Sequence, residues 1–120
     1  MEFMDHFTNP KNIGVLANAN GIGESGSPGV GNYLQFFLYI EDDVVKQASY
    51  LIQGRPQAIA AASYASLFVI GRNTQELMQL STCDLRKIFQ WPGSFYEPCL
   101  KLVIESIKNA IIDYWRRLNV

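Results

Sequence analysis

A chain of 120 residues is long enough to bury a core as one domain without disulfide or metal staples, and a single domain over 1–120 is expected. Hydrophobic residues make up 48% and charged residues 18%, a balance that excludes disorder as the main description. The formal charge of -1 gives no electrostatic basis for binding nucleic acid or an anionic membrane, so neither is expected as a partner.

Residues 2–8 can make two helical turns with Phe3, Met4 and Phe7 on one side, closed by Asn9-Pro10. No secretory signal pattern is expected there, because Glu2, Asp5 and His6 interrupt the apolar residues. Asn12 to Gly31 reads as a loop anchored by Ile13, Val15 and Leu16, with an irregular strand within Ile22 to Pro28. Its glycines, Gly21-Ile22-Gly23-Glu24-Ser25-Gly26, lack the Lys-Ser/Thr ending of a nucleotide loop. Tyr33 to Ile40 alternates as a strand with Leu34, Phe36, Leu38 and Ile40 on one face. Glu41-Asp42-Asp43 reads as a solvated hairpin tip. Val44 to Ile52 returns as a second strand with Ala48, Tyr50 and Ile52 inward.

The stretch from Ala58 to Ile70 is apolar apart from Ser63, Ser66 and the hydroxyl of Tyr64. Pro56 suits its first turn and Gly71 its end. A helix apolar all round belongs in the middle of a fold, and this one is too short for a bilayer, which needs ~20 such residues. Thr74 to Leu80 and Cys83 to Phe89 read as short helices, with Thr74 and Ser81 or Thr82 as candidate caps. Trp91-Pro92-Gly93-Ser94 is a break. Pro98 to Leu118 carries Leu100, Val103, Ile104, Ile107, Ile111, Tyr114 and Leu118 on one stripe, with Glu105–Lys108 and Asp113–Arg116 or Asp113–Arg117 pairs on the other side. The fold class expected is α+β: a small antiparallel sheet of about three strands with helices on one face. Two cysteines, Cys83 and Cys99, fit free thiols in a reducing cytoplasm; Cys83, near a helix start, reads as a buried or capping thiol.

Several segments share a further likeness. Asp5-His6-Phe7-Thr8-Asn9-Pro10-Lys11-Asn12-Ile13-Gly14 resembles the opening of the IscU/NifU-type iron–sulfur cluster assembly scaffolds. Gly26-Ser27-Pro28-Gly29-Val30-Gly31-Asn32, Gly54 followed by Ala58-Ile59-Ala60, Gly71-Arg72, and Cys99 with Ile107-Lys108-Asn109-Ala110-Ile111 match in order, over nearly the whole chain. The resemblance implies the same α+β fold. It also implies a site built in the family from three cysteines, an aspartate and a histidine. Carried over, the first cysteine is Val30 and the aspartate Asn32; the second cysteine is Arg55 and the histidine Pro98. The third cysteine remains as Cys99. Residues 91–98 do not reproduce the Pro-Pro-Val-Lys segment through which an Hsp70-type chaperone binds the scaffolds.

Valine cannot donate to a metal, arginine is a permanent cation, and one thiolate cannot hold a cluster within a chain. The expectation is a scaffold fold without bound metal or cofactor, a non-catalytic interaction or regulatory paralogue whose partners are itself or cluster-assembly components. The other reading is a single-thiol protein in which Cys99 handles persulfide sulfur or holds residual metal. In the simplest view Arg55 faces solvent and Cys99 is packing. In the sharper one both sit at helix N-termini and Arg55 lowers the pKa of Cys99. His6 reads as a structural or surface residue. On the sheet, Tyr33, Gln35, Phe37 and Tyr39, with Leu51 of the next strand, face away from the helices. Exposed there, Phe37, Tyr39 and Leu51 would form an interaction surface for a homodimer or a protein partner.

Overall fold

The computed structural model of the chain describes His6, residues 9–89 and residues 97–118. The helix expected over 2–8 and the break at Trp91-Pro92-Gly93-Ser94 lie outside these residues, apart from His6, which is helical. Three strands, β1 (Gly21–Ser27), β2 (Val30–Glu41) and β3 (Val44–Gln53), form an antiparallel sheet in the order β1-β2-β3. Helices α1 (Pro56–Phe68), α2 (Thr74–Met78), α3 (Thr82–Phe89) and α4 (Glu97–Leu118) follow. This is the α+β arrangement that the alternation and the helical stripes point to.

The register puts Gly23, Phe36 and Tyr50 in one row, with Gly21, Leu38 and Ala48 beside it and Ser25, Leu34 and Ile52 on the other side. This face carries the core, and the Phe36 and Tyr50 rings stack on it with centroids 5.9 Å apart. The glycine run is β1 itself, and its small residues have a steric purpose. A Cβ on Gly23 would run into the α4 backbone at Ala110 and Ser106, so the absence of a side chain lets α4 lie directly on the strand. Leu100, Val103, Ile104, Ile107, Ile111 and Tyr114 of α4 are buried there, whereas Leu118, in the last turn, is 63% exposed. Asp113 pairs with Arg117 at 2.9 Å and also accepts the Ile22 N–H; among the described residues no ion pair joins Glu105 to Lys108.

Beside α4, α1 buries Ala58, Ala60, Ala61, Ala62 and Ala65 together with Ser63 and Ser66. The two serines hold the segment that precedes the sheet. Ser63 Oγ lies 2.7 Å from Nδ1 of the buried His6 and accepts the Lys11 N–H at 2.8 Å. Ser66 Oγ accepts the Asn12 side-chain amide at 3.0 Å. The Gly14 N–H then donates to the Tyr50 carbonyl, and the Tyr50 N–H to the Asn12 carbonyl. Residues 11–14 are therefore a strap fixed by hydrogen bonds. The apolar anchors expected in this loop are mostly on the outside: Ile13 is 56% and Val15 67% exposed.

Other local expectations shift by a residue or a role. The cap of α2 is Asn73, which accepts the Glu76 N–H at 2.8 Å; Thr74 is buried and donates its hydroxyl to Asp43. That bond pins the hairpin tip, where Asp42 and Asp43 both have positive φ as a two-residue turn of this kind requires. Helix α3 opens on a capping box in which the Ser81 N–H donates to Asp84 and the Asp84 N–H to Ser81 Oγ. The Ser81 N–H and the Ser81 hydroxyl, both donating to the Asp84 carboxyl, hold it below its ordinary pKa. Cys83 is neither buried nor a cap but exposed on that helix. On the outer sheet face, Phe37 is only 6% exposed, against the expectation of an open aromatic row. It sits in the central strand between Ile22 and Ser49, and the loop before β1 is tied beside this face, from Gly14 on Tyr50 through Asn18 on Gln47 to Asn20 on Leu38. Tyr39 is half-buried and donates to Glu41, while Leu51 stays 37% exposed.

Candidate functional site

Three chain segments far apart in sequence meet at one end of the molecule. The start of β2 brings Gly31 and Asn32, the turn before α1 brings Gly54 and Arg55, and the first turn of α4 brings Pro98 and Cys99. Together they line an open cavity of about 490 Å³, with Gln57 from the first turn of α1. Of the five positions singled out from sequence, four are thus brought together; the fifth, Val30, precedes Gly31 in β2.

Local chemistry explains the arrangement. Arg55 is the N-cap residue of α1, in extended conformation, and Pro56 occupies the helical position where a missing N–H costs nothing. The Asn32 side-chain oxygen accepts the Arg55 backbone N–H at 3.0 Å, tying β2 to the helix start. Gly54 is needed for this closure, because a Cβ there would collide with the same Asn32 oxygen. Arg55 is exposed, and its side chain makes no cap bond. Among the described residues its guanidinium has no hydrogen-bond or ion-pair partner.

Cys99 is 8% exposed. Burial pushes its thiol pKa up, and the pull of Arg55 in the opposite direction is the smaller effect. The arginine acts on the thiol as expected, but desolvation wins, so Cys99 is not an activated thiolate. His6 is remote from this end and belongs to the strap latch.

The donor set does not suit iron or zinc. Arg55 carries a fixed positive charge, Pro98 has no donor atom, the Asn32 oxygen already accepts a backbone N–H, and one protonated thiol remains. Among the described residues no three His, Cys, Asp or Glu side chains gather as a metal site. Sequence reasoning missed two participants, Gly54 as the residue that admits Asn32 and Gln57 in the wall. The Gly54-Arg55-Pro56 order was a signal for a helix entry but not for its contact with residue 32.

The signature of the NifU-like N terminal domain matches residues 1–120. The chain belongs to this family. Among relatives of the NifU-like domain, the iron-sulfur cluster assembly scaffold protein IscU of Aquifex aeolicus is 34% identical over 116 residues, 92% of this chain and 72% of the relative. Iron sulfur cluster assembly protein 1 of Trachipleistophora hominis is 31% identical over 117 residues, 95% of this chain and 84% of the relative. Among solved structures, the NifU-like protein (N-terminal) from Brucella abortus superposes with a TM-score of 0.75 at 19% identity, covering 96% of this chain and 92% of that one, a likeness of fold. Within the described residues of this NifU-like domain, no helix is long and apolar enough to cross a membrane.

Proposed function

We propose that this NifU-like domain is a scaffold-like protein of iron–sulfur cluster assembly that has lost the cluster's ligands. It would serve in the cytoplasm as a non-catalytic interaction or regulatory paralogue. The observation that carries the reading is the make-up of the cavity: Asn32, Arg55, Pro98 and Cys99 stand together and offer one protonated thiol and a cation. A cluster is held by several soft anionic donors, and a guanidinium among them opposes the charge of the iron. The names of the relatives place the family in cluster assembly and supply the process in which such a chain would act. The buried state of Cys99 favours this reading over persulfide handling, which needs an accessible thiolate.

Anaerobic incubation with iron and sulfide, and separately with zinc, tests the reading. Absorption spectra and metal analysis should show no cluster and no stoichiometric metal. One cluster per chain or per dimer would overturn it. The partner surface in this reading is the outer sheet face, now centred on Tyr39 and Leu51, since Phe37 on the same face is buried. Leu51→Lys with Tyr39→Lys should leave the fold intact and abolish self-association or capture of assembly components in a sedimentation or pull-down assay. Unchanged association would remove the face from the proposal.

A further inference from the structure

Among the described side chains, nothing balances the charge that Arg55 brings to the cavity. Arg72 and Arg117 each rest on a carboxylate, at 2.7 Å and 2.9 Å, but among the described residues no Asp or Glu lines the cavity that Arg55 borders. We propose that this cavity is a binding site for a small oxyanion, gripped by the Arg55 guanidinium between the starts of β2, α1 and α4. The proposal rests on the reading that no metal is held here.

Five features support it. The planar fork of a guanidinium matches two oxygens of one carboxylate, phosphate or sulfate group, which a hydrated point charge does less well. At about 490 Å³ and open to solvent, the cavity has room for such a group with part of its hydration. The Asn32 oxygen, the acceptor that would repel an anion, is turned onto the Arg55 backbone N–H. The thiol of Cys99, kept protonated by burial, does not serve as a counter-ion and leaves the guanidinium charge to an outside group. The first turns of α1 and α4 open on the same space, and their dipoles add to the favourable field.

The test is a titration of the metal-free full chain, followed by NMR of its backbone amides at ionic strength held constant with chloride. Inorganic phosphate and acetate are added in separate arms, which distinguish a free inorganic ion from a small carboxylic acid as the source. Saturable shifts at Asn32, Arg55 and Cys99 are expected in at least one arm. Arg55→Gln should weaken binding roughly tenfold or more, and Arg55→Lys by less, because lysine keeps the charge and loses the fork. Arg55 is exposed, so both variants should fold as the parent does. Absence of saturation in both arms, shifts that chloride reproduces, or equal binding by Arg55→Gln would overturn the site and leave the proposed function standing. Uptake of stoichiometric metal in the reconstitution experiment would instead overturn the reading on which the site rests.

Discussion

The two ends of α1 use polar residues in opposite ways. Within the helix, Ser63 and Ser66 are fully buried and their hydroxyls are committed to the strap through His6, Lys11 and Asn12. At its start, Arg55 is exposed and its side chain is committed to nothing among the described residues. The contrast separates polar groups that the fold consumes from those it leaves available. A buried hydroxyl with partners on two segments is architecture; a cation at a cavity without a partner is capacity for a ligand.

The sharpest way to break this comparison is a pair of substitutions on one helix. Ser63→Ala removes only the hydroxyl, strands the Lys11 N–H and takes a partner from His6, at a cost of about 2–3 kcal/mol in urea unfolding. Arg55→Ala should change stability by no more than about 0.5 kcal/mol. Equal costs would mean that the cavity end is as structural as the strap.

Alkaline titration probes the same division. Tyr50 lies under the strap, and burial raises its phenol from 10.0 to about 12, against a smaller pull from Ser63. A raised acid holds its proton more tightly when folded, so its contribution is complete below pH 10 and is lost as pH rises towards 12. The loss should be on the order of 1–2 kcal/mol, and Tyr50→Phe should flatten it. Cys99 has the same sign at the other end, since its raised thiol also favours the folded state below its unfolded pKa. A stability curve flat from pH 9 to 12, the same with Phe at position 50, would remove the buried phenol from the account.

The smallest effect belongs to the cavity's own hydrogen bond. Asn32→Ala deletes the acceptor of the Arg55 N–H and should cost about 0.5–1 kcal/mol, because water can replace it at that exposed end. A cost above that of Ser63→Ala would invert the comparison.

Much of the frame was legible because its signals are local. Leu34, Phe36, Leu38 and Ile40 alternate, and the α4 stripe repeats at helical spacing, so strands and helix follow from neighbours a few residues apart. What was not legible depends on residues distant in the chain. Ser63 could be seen as a polar exception in an apolar helix, but its partners Lys11 and His6 lie more than 50 positions away. Gly23 could be seen as a glycine, but not that the α4 backbone would lie against it. Phe37 alternates outward as expected, yet it is buried, and alternation within one strand says nothing of the distant loop tied beside that face. At the cavity, the convergence of Asn32, Arg55, Pro98 and Cys99 was expected only through the family resemblance. The outcome for the thiol needed burial, which no local pattern gives.

The covering of the sheet's borders has a consequence for how this molecule can meet others. On the β1 side, Asp113 takes the Ile22 N–H and Asn109 donates to the Glu24 carbonyl. On the β3 side, Gly14 and Asn12 occupy Tyr50, while Gly71 and Arg72 occupy Val45. An incoming chain therefore finds no continuous ladder of vacant amides on which to template itself, the usual route to strand exchange and fibril growth. Recognition has to go through side chains, by shape and charge at a face or an end, and such contacts can be changed one residue at a time without endangering the sheet.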